Sequence, residues 1–396
     1  MIKRMKKILL STTSALLFLA AQADGLDWCS NYTYNDCCTC ESFWGSAEYL
    51  YWDLKDGPRV PALVVSESCN CDGASKSETK LGCEKLDSKW RSGGKFALGY
   101  WFDCEHCFGA ELNYFVLPNT SRKHSVHHSE CGKDEALRIP FCVIGQDCDD
   151  STDLSFPGVF DGWAKLKESN MMQGAELNGW MTIPSTCDYK AGWLVGFRYW
   201  NFDEHLKFTT CTPTVGITND IWATKDKFRV ENNFYGGQIG FGMETAYDQF
   251  YLNGKVKLAL GALCAERRIS GGLLTNEFNE PPFDGEAAVY EGGYFALPSR
   301  IGHRKTTKFA VIPDVNINIG YQFTDCFRIQ VGYTFLYINR VLRAGKQFDN
   351  CINPEESLAI QGNKNALVAN CESHSRSLRT SSLWAQGLNV GIEFQF

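Results

Sequence analysis

Lys308-Phe-Ala-Val-Ile-Pro-Asp-Val-Asn-Ile-Asn-Ile-Gly-Tyr-Gln-Phe-Thr324 alternates with a period of two. Phe309, Val311, Val315, Ile317, Ile319, Tyr321 and Phe323 fall on one face, and Asp314, Asn316, Asn318, Gly320 and Gln322 on the other. Successive side chains of a strand point to opposite faces, so the stretch is a strand with one apolar and one polar face. The pattern continues outward in both directions. Phe327, Ile329, Val331, Tyr333, Phe335 and Tyr337 oppose Arg328, Gln330, Gly332 and Thr334, and Leu388, Val390, Ile392, Phe394 and Phe396 oppose Gly387, Asn389, Gly391, Glu393 and Gln395. Upstream, the same alternation runs through 96–102, 108–116, 193–199, 235–244 and 250–260, and more weakly through 43–52, 158–167, 171–181 and 203–210. Twelve strands are expected.

The connections carry as much information. Short turns are expected near 103–106, 168–170, 202, 246–248 and 325–326, and longer stretches at 53–92, 118–157, 182–189, 211–232, 263–307 and 339–382. A soluble sandwich has no reason to alternate short with long. An outer-membrane barrel does, with short periplasmic turns and long external loops. The expected fold is therefore an all-β, transmembrane, antiparallel up-and-down barrel of about twelve strands with both termini on the periplasmic side. Phe396 ends an aromatic-rich strand, the kind of terminal signal that barrel-assembly machinery reads.

Composition fits this reading. Aromatic residues make up 13% of the 396, and a barrel uses them in its lipid-facing wall and interfacial girdles. Beyond the N-terminus no apolar run approaches the ~18 residues of a membrane helix. Lys3, Arg4, Lys6 and Lys7 precede the apolar stretch 8–21, and Ala21-Gln22-Ala23 is a small-x-small cleavage site, so residues 1–23 read as a signal peptide. Residues 24–42 form a cysteine-rich periplasmic lead and 43–396 the barrel. Removing the four cations leaves 35 basic against 46 acidic residues, a net of −11, which excludes a nucleic-acid footprint.

The inward face carries both signs: Lys95, Arg198, Lys255, Lys257 and Arg328 against Glu111, Glu176, Glu244, Asp314 and Glu393. These ten are the expected pore lining. A mixed lining serves either an aqueous path or internal ion pairs that close the bore. Twelve strands lie between the filled eight-stranded and the open sixteen-stranded cases.

Several blocks resemble a family in their order. They are Trp44-Gly-Ser-Ala-Glu-Tyr-Leu-Tyr-Trp52, Gly93-Gly-Lys-Phe-Ala-Leu-Gly-Tyr-Trp101, Phe234-Tyr-Gly-Gly-Gln-Ile-Gly240, Val256-Lys-Leu-Ala-Leu-Gly261, Val331-Gly-Tyr-Thr-Phe-Leu-Tyr337 and Trp384-Ala-Gln-Gly-Leu-Asn389. The chain resembles the beta-barrel porin-7 family from about residue 43 to 396, which implies an outer-membrane β-barrel. The loops depart from the usual pattern in being rich in cysteine. In this they resemble disulfide-crosslinked envelope proteins such as the major outer-membrane proteins of chlamydia-like bacteria.

The topology sorts the eighteen cysteines. Cys29, Cys37, Cys38, Cys40, Cys104, Cys107 and Cys326 are expected on the periplasmic side. Cys69, Cys71, Cys83, Cys131, Cys142, Cys148, Cys187, Cys211, Cys264, Cys351 and Cys371 are expected outside, none in the middle of a strand. Both counts are odd, and a disulfide cannot span the barrel height. Full oxidation would then leave one cysteine per side for another envelope protein; the alternative is loop-pinning disulfides with two free thiols.

The remaining motifs are weak. Cys104-Glu-His-Cys107 lacks the βαβ setting of a redox motif. His124, His127, His128 and Cys131 read as a polar loop tip, 147–153 as a solvated acidic loop without the glycine and glutamate of an EF-hand, and Lys225–Arg229 as a solvated loop end. No metal, cofactor or catalytic group is expected. The function expected is passive diffusion of small solutes across the bacterial outer membrane. The alternatives are a disulfide-crosslinked structural barrel with a closed bore, or a surface adhesin.

Overall fold

The computed structural model describes residues 42–395 except 70–74, 87–89, 105, 128–134, 145–148, 187–188, 214–220, 277–286, 354–355 and 361–377. The expected signal peptide 1–23, the expected lead up to residue 41, Phe396 and Cys29, Cys37, Cys38, Cys40, Cys71, Cys131, Cys148, Cys187 and Cys371 lie outside the described residues.

The chain alternates wall strands with external excursions. It begins with β1 (Phe43–Leu54) and leaves the wall for β2 (Ala62–Cys69) and β3 (Ser75–Gly82). It returns through β4 (Arg91–Trp101) and β5 (Phe108–His127), then leaves for β6 (Glu135–Val143) and β7 (Asp149–Ser155). Three long strands follow: β8 (Trp163–Thr186), β9 (Tyr189–Pro213) and β10 (Ile221–Tyr247). After β11 (Phe250–Thr275) and the short β12 (Ala288–Glu291) come β13 (Gly302–Thr324) and β14 (Phe327–Leu342). The helical turn α1 (Ala344–Gln347), β15 (Cys351–Ile352) and β16 (Thr380–Gln395) complete the chain.

Ten strands pair in the order β10-β9-β8-β5-β4-β1-β16-β14-β13-β11, and β10 pairs β11 to close the ring. Every neighbour in the ring is antiparallel, so no wall strand has an unpaired edge facing lipid. β12 adds to β11 only at Gly272–Thr275, and β15-β6-β2-β3 with β7 form a second sheet.

The wall has ten strands, not twelve. The segments 158–167 and 171–181 are parts of β8, which starts at Trp163, and 193–199 and 203–210 are parts of β9. The turns expected at 168–170 and 202 do not exist. Ser169 pairs with His205 and Met172 with Phe202 without a break. The polar residues at 168–170, Asn201 and Asp203 mimic turns because both strands there leave the membrane: the outward face turns polar while the inward face stays apolar. The fusion also reverses one connection. Thr186 pairs with Tyr189, so the chain passes from β8 to β9 by two residues at the short-turn end, where a long external loop was expected at 182–189. Cys264 lies well inside β11, against Asn233 and Thr307, contrary to the expectation that none does; Cys211 lies near the end of β9.

A transmembrane strand needs about 9–11 residues, whereas β9, β10 and β11 have 25, 27 and 26. Outward-facing side chains mark the membrane. On β9 they are Tyr189, Trp193, Val195, Phe197 and Tyr199, and Tyr199 meets Tyr235 of β10 at 5.2 Å between ring centroids. Beyond this girdle the outward positions of β9 become Asn201, Asp203, His205, Lys207 and Thr209, while inward Phe202, Leu206 and Phe208 remain buried. The wall thus rises above the bilayer on the side of β5, β8–β11 and β13. β1, β4, β14 and β16 are shorter, with 11 to 16 residues. One apolar cluster fills the bore (Leu50, Trp52, Phe115, Trp200, Phe234, Ile338), and a second joins the external sheet to the upper wall (Leu63, Leu137, Phe141, Phe208, Phe228, Phe295).

Candidate functional site

The ten side chains expected to line the bore all lie on its inner side, in layers. Nearest the short turns, Arg328 Nη1 donates to Glu244 at 3.1 Å, lies 3.6 Å from Glu393, and stacks its guanidinium 4.9 Å over the Tyr251 ring. Above it, Lys255 Nζ donates to Glu111 at 2.7 Å and sits over the Trp44 and Trp180 rings at 5.7 and 5.0 Å. Across the bore Lys95 Nζ donates to Glu48 at 2.8 Å.

The central layer ties five strands together. Arg198 of β9 bonds both Glu176 of β8 and Asp314 of β13, and Lys257 of β11 reaches the same two carboxylates at 2.9 and 3.3 Å. Gln238 Nε2 of β10 also donates to Glu176, at 3.0 Å. Glycine makes this convergence possible: a Cβ at Gly240 would press on the Lys257 side chain, and one at Gly196 would meet the Asn178 amide. Arg198 is 2% exposed, so no water-filled bore runs past it.

An amide layer follows. Trp52 Nε1 donates to Asn389 at 2.8 Å, and Asn389 and Asn316 both donate to the Thr334 hydroxyl. A cavity of about 30 Å³ beside Trp52, Asn113, Glu176 and Lys257 has room for about one water. Then comes the apolar cluster, and above it a further ion pair. Arg343, just before α1, bonds Glu204 of β9 at 3.1 Å, and Ala344 N donates to the other carboxylate oxygen at 2.6 Å. Asn232 of β10 holds Leu342 through both its backbone groups. The last external segment is therefore fastened inside the mouth.

A further strap closes the mouth. Tyr294, Phe295, Ala296 and Leu297 are buried against the upper wall. Asp226 of β10 accepts from the backbone of Phe295 and Ala296 at 3.4 and 2.8 Å. Burial pushes its carboxyl up to about 6, and these backbone donors only partly oppose the rise. The Tyr294 phenol is raised as well, by burial first and then by Asp226.

Sequence reasoning missed Glu48, whose inward place follows from the alternation of β1, and Arg343, Glu204, Asn232 and Asp226. Glu204 sits in the weakly alternating stretch 203–210, and Asp226 and Asn232 in upper wall that was expected to be loop. Arg343 lies in a stretch with no periodicity, and no sequence signal marks it. Lys225–Arg229, expected as a loop end, runs inside β10. Among the described cysteines Cys142 and Cys351 stand in register between β6 and β15, and burial and the Cys142 thiol push the Cys351 thiol up to about 12. No group of three or more metal-ligating side chains occurs among the described residues.

An antiparallel ring with an apolar outer band, aromatic girdle and charged interior defines an outer-membrane β-barrel. Residues 44–396 match the family described as "Putative beta barrel porin-7", and the chain belongs to that family of outer-membrane porins. No curated protein matches it. Three solved structures are similar to the chain at low identity. The outer membrane protease OmpT of Escherichia coli is 10% identical, with 91% of this chain and 98% of that chain covered and a TM-score of 0.40. The toluene transporter TodX of P. putida is 9% identical, with 89% of each chain covered and a TM-score of 0.20. A FadL homologue of Pseudomonas aeruginosa is 6% identical, with 90% of each covered and a TM-score of 0.21.

Proposed function

We propose that this protein is a non-enzymatic transport barrel for small solutes whose bore is shut at rest. The observation that carries the proposal is the buried central layer of Glu176, Arg198, Lys257 and Asp314, bridged across the bore inside the membrane section. Replacing buried ion pairs of this kind by apolar packing is often neutral or stabilising. A barrel that served only as a plug would gain little from so many charges. The polar interior is instead a path that can take up water once the strap and central layer part. Family membership supports the same reading.

On this reading the partners are outer-membrane lipid and the barrel-assembly machinery, which would take hold of the strand ending at Phe396. Export would remove residues 1–23. Planar-bilayer recordings of the folded full-length barrel test the proposal. It requires no standing conductance at low voltage, with discrete openings once the Asp226 strap and the Arg198 layer are both removed by substitution. A steady ohmic pore in the unmodified protein would overturn the closed state. A second reading, a structural barrel with disulfides in its external segments, is favoured by the filling of the bore at several heights. Silence in the doubly substituted, correctly folded protein would establish that reading instead.

A further inference from the structure

The outer face of the tall wall carries an arrangement that solute transport does not use. On four neighbouring strands, Lys123, Lys167, Lys207 and Lys227 stand in one cross-strand row: Lys123 pairs with Lys167, Lys167 with Lys207, and Lys207 with Lys227. The next row adds Lys165 and Lys225, each paired to Thr209. All six point outward, since their neighbours Leu166, Leu206, Phe208, Asp226 and Phe228 are buried on the inner side. Strands lie about 4.8 Å apart, so the four-lysine row is about 15 Å wide on a rigid sheet.

Like charges directly opposite one another in a sheet repel. The Lys207 amino group is held below its ordinary range by burial and then by Lys225, Lys227, Lys167 and Lys165, and that of Lys227 chiefly by Lys225. Nearby cations are compensated within the wall: Arg229 has Glu231 at 3.9 Å and Arg268 has Glu266 at 3.7 Å. Among the described residues the six lysines have no such carboxylate. The patch is not part of a generally basic surface, because the whole chain carries −7.

Position selects the partner. Lys207 is eight residues beyond Tyr199 of the girdle on the same strand. At ~3.3 Å per residue and a tilt near 40° this is about 20 Å above the membrane boundary. The row faces sideways from the wall, toward whatever stands up from the outer leaflet beside it.

We propose that this face docks the phosphorylated sugar head of an outer-leaflet glycolipid. The row supplies ammonium groups at fixed spacing to phosphates along the head, with the Thr209 and Ser125 hydroxyls between them. Bound phosphate replaces lysine–lysine repulsion with attraction, and the lipid's acyl chains lie against the apolar band below.

The test uses the full-length barrel, freed of lipid in neutral detergent and returned to nanodiscs of neutral phospholipid containing a bis-phosphorylated glycolipid or its dephosphorylated form. Glycolipid retained per barrel is measured against the K167Q/K207Q/K227Q variant. All three changes are on the solvent-facing side, and folding is verified by heat-modifiable gel migration. Retention of the phosphorylated lipid is expected to fall about tenfold or more in the variant and to weaken with salt. Equal retention by variant and parent, or of the two lipid forms, would overturn the proposal. Tighter binding of a soluble sulfated polysaccharide than of the glycolipid would move the partner off the membrane and overturn it too.

Discussion

Arg198 answers two carboxylates at once, and its removal leaves Glu176 and Asp314 facing Lys257 alone in a buried layer. Breaking one partner of a buried pair typically costs ~3–5 kcal/mol. Arg198→Met should therefore lower the temperature at which the barrel loses its compact gel mobility, whereas Arg229→Met on the exposed wall should leave it nearly unchanged. Asp226 gives a pH dependence of definite sign. Its folded pKa of about 6 lies above the ordinary 3.8, so the folded state holds a proton that the unfolded state lacks between those values. Stability contributed here rises as pH falls through about 6 and levels off below 3.8. Proteolysis within the strap should be slower at pH 5 than at pH 7.5, and Asp226→Asn should remove the difference. At Cys142 and Cys351, register and thiol contact predict a disulfide when an external disulfide or oxygen accepts the two electrons and two protons are lost. Mass spectrometry of the unreduced protein should find the two peptides joined; full alkylation of both thiols would contradict this. At this scale the sequence was readable wherever a residue sat in a clean alternation. The ten inward charges were found by parity alone. Arg343 was not, because its place is set by Glu204 across the bore and not by any neighbour in the chain.

Elements were legible where lipid lay outside them. β13, β14 and β16 alternate apolar with polar because lipid and the bore interior make opposite demands on their two faces. In the upper halves of β8 and β9 water replaces lipid, so the apolar residues switch to the inner face. A period-two reading sees the switch as a turn at Glu168-Ser-Asn170 and at Phe202. The strap is the other element the sequence did not reveal, since nothing in Gly292-Gly-Tyr-Phe-Ala-Leu297 announces an inward fold. Its dependence on glycine is specific: Gly292 holds φ +107, and a Cβ on Gly293 would collide with the Asp226 carboxylate. Gly293→Ala should expose Tyr294 and Phe295, raising cleavage of the strap at neutral pH while the wall keeps its strand content by circular dichroism.

The whole molecule is a ring of unequal height, which follows from strands of 11 residues on one side and 27 on the other. β4 and β5 share register only over Gly94–Trp101, whereas β10 and β11 stay paired from Trp222 and Thr275 down to Tyr247 and Phe250. Opening a ladder locally requires its paired amides to separate together, and short ladders do so most often. Translated into time, the inequality of height becomes an order of events. Backbone amides of β4 should exchange with deuterium first, those of β14 and β16 later, and those of β9–β11 last. A barrel that looks evenly closed in space would then have one stave that loosens long before the rest.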